Sequence, residues 1–209
     1  MNTRPSFILG AALLSVVLAS GCREASAAIV ISGSSAGVAA DDPVSFGRVP
    51  DFALTSQRGA TVTLSTLEGR PFVMAVVYTT CSGPCPRISR NMRLIQEALR
   101  ETDARLVTLS VDPERDTPEV LRGYARDYGA DPERWLFLTG DRREIEALVR
   151  GGFWMAVDRD GDDITHSTKL LVVDAKGERR EWYDGEEGDC VEQVVARVKF
   201  LEREGRGER

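Results

Sequence analysis

Past residue 50 the chain alternates short apolar runs with longer amphipathic ones. Phe52-Ala53-Leu54 and Thr61-Val62-Thr63 flank Arg58-Gly59, the pattern of a small β-hairpin. Phe72-Val73-Met74-Ala75-Val76-Val77-Tyr78 reads as a strand, and a helical period follows from Arg87 to about Leu99 through Ile88, Met92, Leu94, Ile95 and Leu99. Arg105-Leu106-Val107-Thr108-Leu109-Ser110-Val111 is a second clear strand. Thr117 then caps a helix that has Pro118 at its first position and runs to about Tyr128. Trp135-Leu136-Phe137-Leu138 predicts a short strand, and Asp141 to Val149 another helix. Lys169–Val173 and Arg180–Tyr183 predict a hairpin around Ala175-Lys176-Gly177, and Cys190 to Leu201 closes the pattern as a helix.

Strands alternating with helices, then a terminal hairpin and a last helix, predict an α/β protein with a thioredoxin-like layered fold. The expected architecture is a central mixed sheet flanked by helices, with an N-terminal β-hairpin. Residues 48–204 form one domain of a size able to bury a real core. The segment before it lacks that capacity. Residues 23–47 are rich in Ala, Ser and Gly, interrupted by the apolar run Ala28 to Ile31, and read as a flexible tether. Residues 205–209 read as a charged tail.

The beginning of the chain bears on compartment. Arg4 precedes an apolar stretch from Phe7 to Ala19, too short to span a bilayer comfortably, since a spanning helix takes about 20 apolar residues. Leu18-Ala19-Ser20-Gly21-Cys22 resembles a bacterial lipoprotein processing site, with Ala19 where leucine is usual. Residues 1–22 are therefore expected to be a signal peptide ending at a lipidated Cys22, placing the domain in the bacterial cell envelope, periplasm-facing and membrane-anchored. Cleavage around Ala25 to Ala27, or retention as an uncleaved anchor, are the competing readings. The net charge of −6 and the pI near 5.0 come without any basic stripe, so nucleic acid is excluded as a partner.

Chemistry concentrates at Cys81 and Cys85, spaced Cys-x-x-x-Cys, and at His166, the single histidine of the 209 residues. Two soft thiolates and an imidazole suit a copper ion, and the same thiols can also cycle through a disulfide. Cys81 falls on a strand-to-helix turn and Cys85 in or beside the first helical turn, where unpaired N–H groups favour thiolate. Ser82-Gly83-Pro84-Cys85-Pro86 is turn chemistry, which argues against an inert buried pair. His166 precedes the Lys169 strand, where thioredoxin-type oxidoreductases carry a cis-proline facing the cysteines. No proline follows Pro132 here, so a soft ligand occupies that place, and its ring is expected within a few ångströms of both sulfurs.

Other chemistries fit less well. Asp158-Arg159-Asp160-Gly161 hints at a calcium loop, but aligning Gly161 on the loop glycine leaves Ala156 and Ser167 where carboxylates are needed, so a solvated turn is expected. A peroxiredoxin would carry Thr or Ser where Tyr78 stands. A structural zinc site calls for a fourth protein ligand, and Cys190, at the start of the last helix, reads better as a packed or free thiol.

Three segments together resemble one family. Tyr78-Thr79-Thr80-Cys81 through Cys85-Pro86, Ser110-Val111-Asp112-Pro113-Glu114-Arg115-Asp116-Thr117-Pro118, and Thr165-His166-Ser167 before a strand are similar to the Sco/SenC/PrrC proteins. Ser82-Gly83-Pro84 departs from the more usual proline directly after the first cysteine. The resemblance implies a thioredoxin fold tethered to a membrane, copper bound by Cys81, Cys85 and His166, and a part in assembling the dinuclear copper centre of cytochrome c oxidase, with its subunit II as partner. It leaves copper delivery, thiol-disulfide exchange through a Cys81–Cys85 disulfide, and copper or redox sensing as alternatives. Asp112 and Asp116 are either part of a docking surface or only a turn.

Overall fold

The structure, a computed structural model, describes residues 44–161 and 163–207. Phe72–Val77 (β3) supplies its centre, with all six side chains at most 1 % exposed. Phe72, Met74 and Val76 point into one apolar cluster, and Val73, Ala75 and Val77 into another. A strand buried on both faces must lie inside a sheet covered on both sides, as here.

The first described strands are the hairpin of Ala53–Ser56 (β1) and Thr61–Thr63 (β2), followed by a short helix, Leu64–Leu67 (α1). After β3 come Cys85–Ala98 (α2), Arg105–Ser110 (β4), Pro118–Asp127 (α3) and Trp135–Thr139 (β5). Arg142–Ala147 (α4) runs into a π-helical turn, Leu148–Gly152. Val157–Asp160 (β6) and Asp163–His166 (β7) form a ribbon of their own, and Lys169–Val173 (β8), Arg179–Asp184 (β9) and Cys190–Gly205 (α5) complete the fold. Among the described residues the main sheet has seven strands in the order β2-β1-β5-β4-β3-β8-β9. Its β3, β4 and β5 are parallel, and β1 and β8 join them antiparallel.

Helices close both faces. Ile88, Met92 and Ile95 of α2 pack with Leu121 and Ala125 of α3 and Val194, Val198 and Leu201 of α5 on one side. Leu64 and Leu67 of α1, Ile145 of α4, and Leu148 and Val149 of the π-helical turn cover the other. The mixed sheet, its helical layers and the N-terminal hairpin agree with the thioredoxin-like expectation. No helix among the described residues is long and apolar enough to cross a membrane.

Several local expectations are corrected. Asp158-Arg159-Asp160-Gly161 is no simple solvated turn: it forms β6 and the turn of the ribbon, where Gly161 takes the left-handed conformation (φ +60°). Helix α2 starts at Cys85 rather than Arg87, because proline is tolerated in a first turn whose N–H groups have no partner anyway. Helix α1 was not expected; the Thr63 hydroxyl and Thr66 close a capping box around it. Residues 44–47, assigned to the tether, already contact the domain. The Phe46 N–H donates to Arg179 O, and the Arg179 guanidinium returns two hydrogen bonds to Phe46 O. The chain enters the ribbon through Trp154, held at φ +54° by stacking on Trp182 (5.7 Å) under the Arg179 guanidinium (4.1 Å).

The helical layer over the cysteine-bearing end depends on α2 packing. Ile95→Ala would open a cavity in a fully buried position and is expected to lower stability by about 2–5 kcal/mol. Arg93→Ala, which removes only an exposed pair with Glu97, should change it by about 0.5 kcal/mol or less. Urea midpoints at unchanged slope measure both, and equal losses would contradict the assignment of that core.

Candidate metal centre

Strand β3 delivers Tyr78, Thr79 and Thr80 to the edge of the core, and Cys81 follows on the loop. The loop is held from behind by Asp116, which is fully buried: its carboxylate accepts the Thr79 N–H (3.0 Å) and the hydroxyls of Thr79 and Ser110. A buried carboxylate needs such donors, and here they come from the segment that leads into Cys81. Asp112 is buried as well, receiving the Arg115 guanidinium at 3.1 Å. Neither side chain is free to form a docking surface. The Asp112-Pro113 turn is real, and its two carboxylates face inward.

Cys85 is the first residue of α2, with Pro84 at the cap and no side chain capping the helix. Partial burial opposes ionisation of Cys81. The Cys85 thiol, the backbone N–H groups of Cys85 and Gly83, and the Tyr78 hydroxyl together outweigh that burial, so the Cys81 pKa lies below the ordinary thiol value. Cys85 behaves oppositely. Cys85 is 1 % exposed, and burial, with the neighbouring Cys81 thiol adding to it, pushes its pKa far up. The expectation of two activated thiols therefore holds for one of them.

His166 closes β7, paired with Val157, with only Ser167 and Thr168 between it and β8. Its Nδ1 lies 2.9 Å from Ser167 O and its Nε2 3.2 Å from Cys85 Sγ. A backbone carbonyl only accepts, so Nδ1 carries the proton and Nε2 turns its lone pair toward the sulfurs. Burial lowers the His166 pKa and the Ser167 carbonyl partly opposes this, which favours the neutral ring that a metal needs. The Cys81 and Cys85 sulfurs and the imidazole nitrogen all lie within 4.8 Å of one another. Donors about 2.0–2.3 Å from a shared ion would have nearly that spacing.

Tyr78 is a further contact of the site, one not expected from the sequence. Its ring stands edge-on to the His166 imidazole, 5.7 Å between centroids at 83°, and its hydroxyl donates to Cys81. Burial and that donation push its pKa up to about 12, so the donor keeps its proton at neutral pH. The available signal was position: Tyr78 directly follows a buried strand, three residues before the first cysteine. Cys190 is buried in the helical layer, where it accepts a hydrogen bond from Asn91 Nδ2 at 3.4 Å, as a packed thiol would. Cys22 lies outside the described residues.

Two protein thiolates and one imidazole, with no fourth side chain in the cluster among the described residues, suit a soft ion of low coordination number better than a structural zinc. Comparison with known proteins agrees in outline. The SCO1 protein homolog of Bacillus subtilis is 30 % identical over 163 residues, covering 76 % of this chain and 84 % of that protein. A SCO1/SenC family lipoprotein from Bacillus anthracis superposes with a TM-score of 0.71 at 27 % identity, covering 74 % of this chain and 95 % of the other. Bradyrhizobium japonicum ScoI, solved with copper bound, gives a TM-score of 0.58 at 29 % identity and covers 74 % of this chain and 99 % of its own. The SCO1/SenC family description matches residues 43–201, nearly the whole described domain, and the chain belongs to that family.

Proposed function

We propose that this protein is a membrane-tethered copper carrier that binds the ion through Cys81, Cys85 and His166 and hands it to an acceptor by ligand exchange. The observation that carries this reading is the convergence of the three donor atoms within 4.8 Å, with His166 Nε2 turned toward the sulfurs. Copper bound to the Bradyrhizobium relative supports the choice of ion. The family resemblance supports the dinuclear copper centre of cytochrome c oxidase, in its subunit II, as the acceptor.

The geometry suggests an order of events. Cys81 is the more exposed sulfur and the more readily ionised, so it meets the incoming ion first. Cys85 gives up its proton as the ion displaces it, which removes the penalty of burying an unpaired thiolate. His166 needs no reorientation, because the Ser167 carbonyl already fixes its tautomer. Three protein ligands leave a position open on the Cys81 side for an acceptor thiolate, and the ion can pass between two soft sites without being released.

The same asymmetry favours a second reading. An exposed, readily ionised thiol beside a buried, protonated one is the arrangement of a thiol-disulfide oxidoreductase, in which Cys81 attacks and Cys85 resolves. His166 separates the two. His166→Ala is expected to weaken copper far beyond the ~10–100-fold typical of changes behind the ligands, to abolish copper-dependent maturation of the acceptor, and to leave Cys81–Cys85 disulfide formation intact. Maturation assays beside Cys81→Ser and Cys85→Ser decide it: full activity in His166→Ala with loss in both cysteine variants would establish the oxidoreductase instead.

The tether is tested independently of the site. If Cys22 carries the anchor, Cys22→Ala should abolish incorporation of labelled fatty acid and release the protein from the membrane fraction or hold it as precursor. Undiminished acyl labelling in that variant would remove the lipoprotein reading.

A further inference from the structure

His166 is carried by a ribbon that the main sheet does not hold. Among the described residues, strands β6 and β7 pair only with each other, in a separate two-stranded sheet. The ladder that fixes β3, and through it Cys81, therefore says nothing about where the imidazole stands. Backbone hydrogen bonds hold the two ends of the ribbon, Met155 N–H to Val149 O and Gly185 N–H to Thr168 O, and between them its orientation is set by side chains on its inner face. Register puts Val157 opposite His166 and Arg159 opposite Ile164, and alternation places those four on the side turned to the domain, with Asp158, Asp160, Asp163 and Thr165 exposed on the other. Val157 and Ile164 are buried apolar contacts, which attract without fixing an orientation.

Arg159 is the directional member of that face. Its side chain is 18 % exposed, unusual for arginine, and its guanidinium reaches three acceptors on two elements. Nη2 donates to the Val111 carbonyl, Nη1 lies 3.8 Å from Asp112 Oδ1, and Nε donates to Glu146 Oε1 of α4 at 3.3 Å. The planar fork of a guanidinium sets angle as well as distance when it is engaged on several sides. By contrast, the outward pair Arg150–Asp158 joins two exposed side chains, so it constrains little.

The acceptors of Arg159 lead to the other half of the site. The Asp112 N–H donates to Ser110 Oγ at 3.0 Å, the Ser110 hydroxyl donates to Asp116, and Asp116 accepts the N–H of Thr79, two residues before Cys81. One hydrogen-bonded loop, Ser110 to Asp116, grips the cysteine segment at one end and the histidine ribbon at the other.

We propose that Arg159 is a positioning residue for His166: held by Val111, Asp112 and Glu146, it registers the β6–β7 ribbon against the Ser110–Asp116 loop and so fixes the imidazole relative to the Cys81 and Cys85 sulfurs. This rests on reading those three side chains as one metal site, but its primary test requires no metal. The chain has one histidine, so the imidazole Cε1–H and Cδ2–H resonances of the full-length protein are unique to His166. In the reduced, copper-free protein they are expected as one sharp pair with cross-relaxation to the Tyr78 ring. Arg159→Met keeps the apolar stem and removes the fork, while Arg159→Lys keeps the charge and one donor.

In Arg159→Met the pair should move toward free imidazole and lose its Tyr78 cross-peaks. Copper(I) affinity, measured by competition with a chromogenic chelator, should fall about 10–100-fold. The Cys81–Cys85 equilibrium with glutathione should change less than about twofold, because the Thr79–Asp116 latch is untouched. Arg159→Lys should fall between the two. Unchanged His166 resonances and Tyr78 cross-peaks in Arg159→Met, or in Arg159→Lys should the methionine variant not fold, would overturn the proposal. So would a shift of the thiol equilibrium as large as the loss of affinity. Should the native protein not take up copper, the carrier reading fails and the resonances still decide the role of Arg159.

Discussion

The site depends on the burial of β3 on both faces. Six consecutive side chains without access to water can be satisfied only at the centre of a sheet with helices on either side, and the strand then has to end where that cover ends. Its C-terminal end is where Tyr78, Thr79 and Cys81 emerge and where α2 begins at Cys85. Hydrophobic burial fixes the position of this edge, and hydrogen bonding to the buried Asp116 fixes the path of the loop across it. The thiols are placed by the most rigid part of the fold and the imidazole by an appended ribbon.

The electrostatics follow from the same geometry. Helix-start N–H groups and the Tyr78 hydroxyl reach Cys81, which faces the solvent side, while Cys85 lies under the helix where burial dominates. Neighbouring thiols thus receive opposite shifts from one structural element. A cation entering the cluster reverses the penalty at Cys85, because the charge that burial disfavours becomes paired. Metal uptake and thiol redox state are therefore linked, since a Cys81–Cys85 disulfide has no two thiolates to offer.

Much of this was legible in the chain. Phe72–Tyr78 and the Ile88-Met92-Ile95 period announce their elements because burial writes itself as periodicity, and two cysteines and a lone histidine name themselves by rarity and spacing. The ribbon was not legible. Asp158, Arg159, Asp160 and Asp163 are poor strand formers, and their pairing is packed down by Val157 and Ile164 and by Arg159 contacts with Val111, Asp112 and Glu146, partners distant in sequence. Burial of Asp112 and Asp116 was hidden for a related reason: carboxylates are usually exposed, and only partners brought by other segments allow them inside. Helix α1 is a single capped turn, too short to show a period. The three chemical residues could be named from sequence, whereas their mutual distances and the asymmetry of the thiols required the fold.

The central claim is that Cys81, Cys85 and His166 bind one copper ion together. X-ray absorption at the copper edge, on reduced protein loaded with one equivalent of copper(I), reads the donor set directly. The account predicts two sulfur scatterers at about 2.2–2.3 Å and one imidazole nitrogen near 2.0 Å, with the nitrogen shell lost in His166→Ala. A native spectrum with two sulfurs in linear array and no imidazole, or with oxygen and nitrogen donors alone, would contradict it.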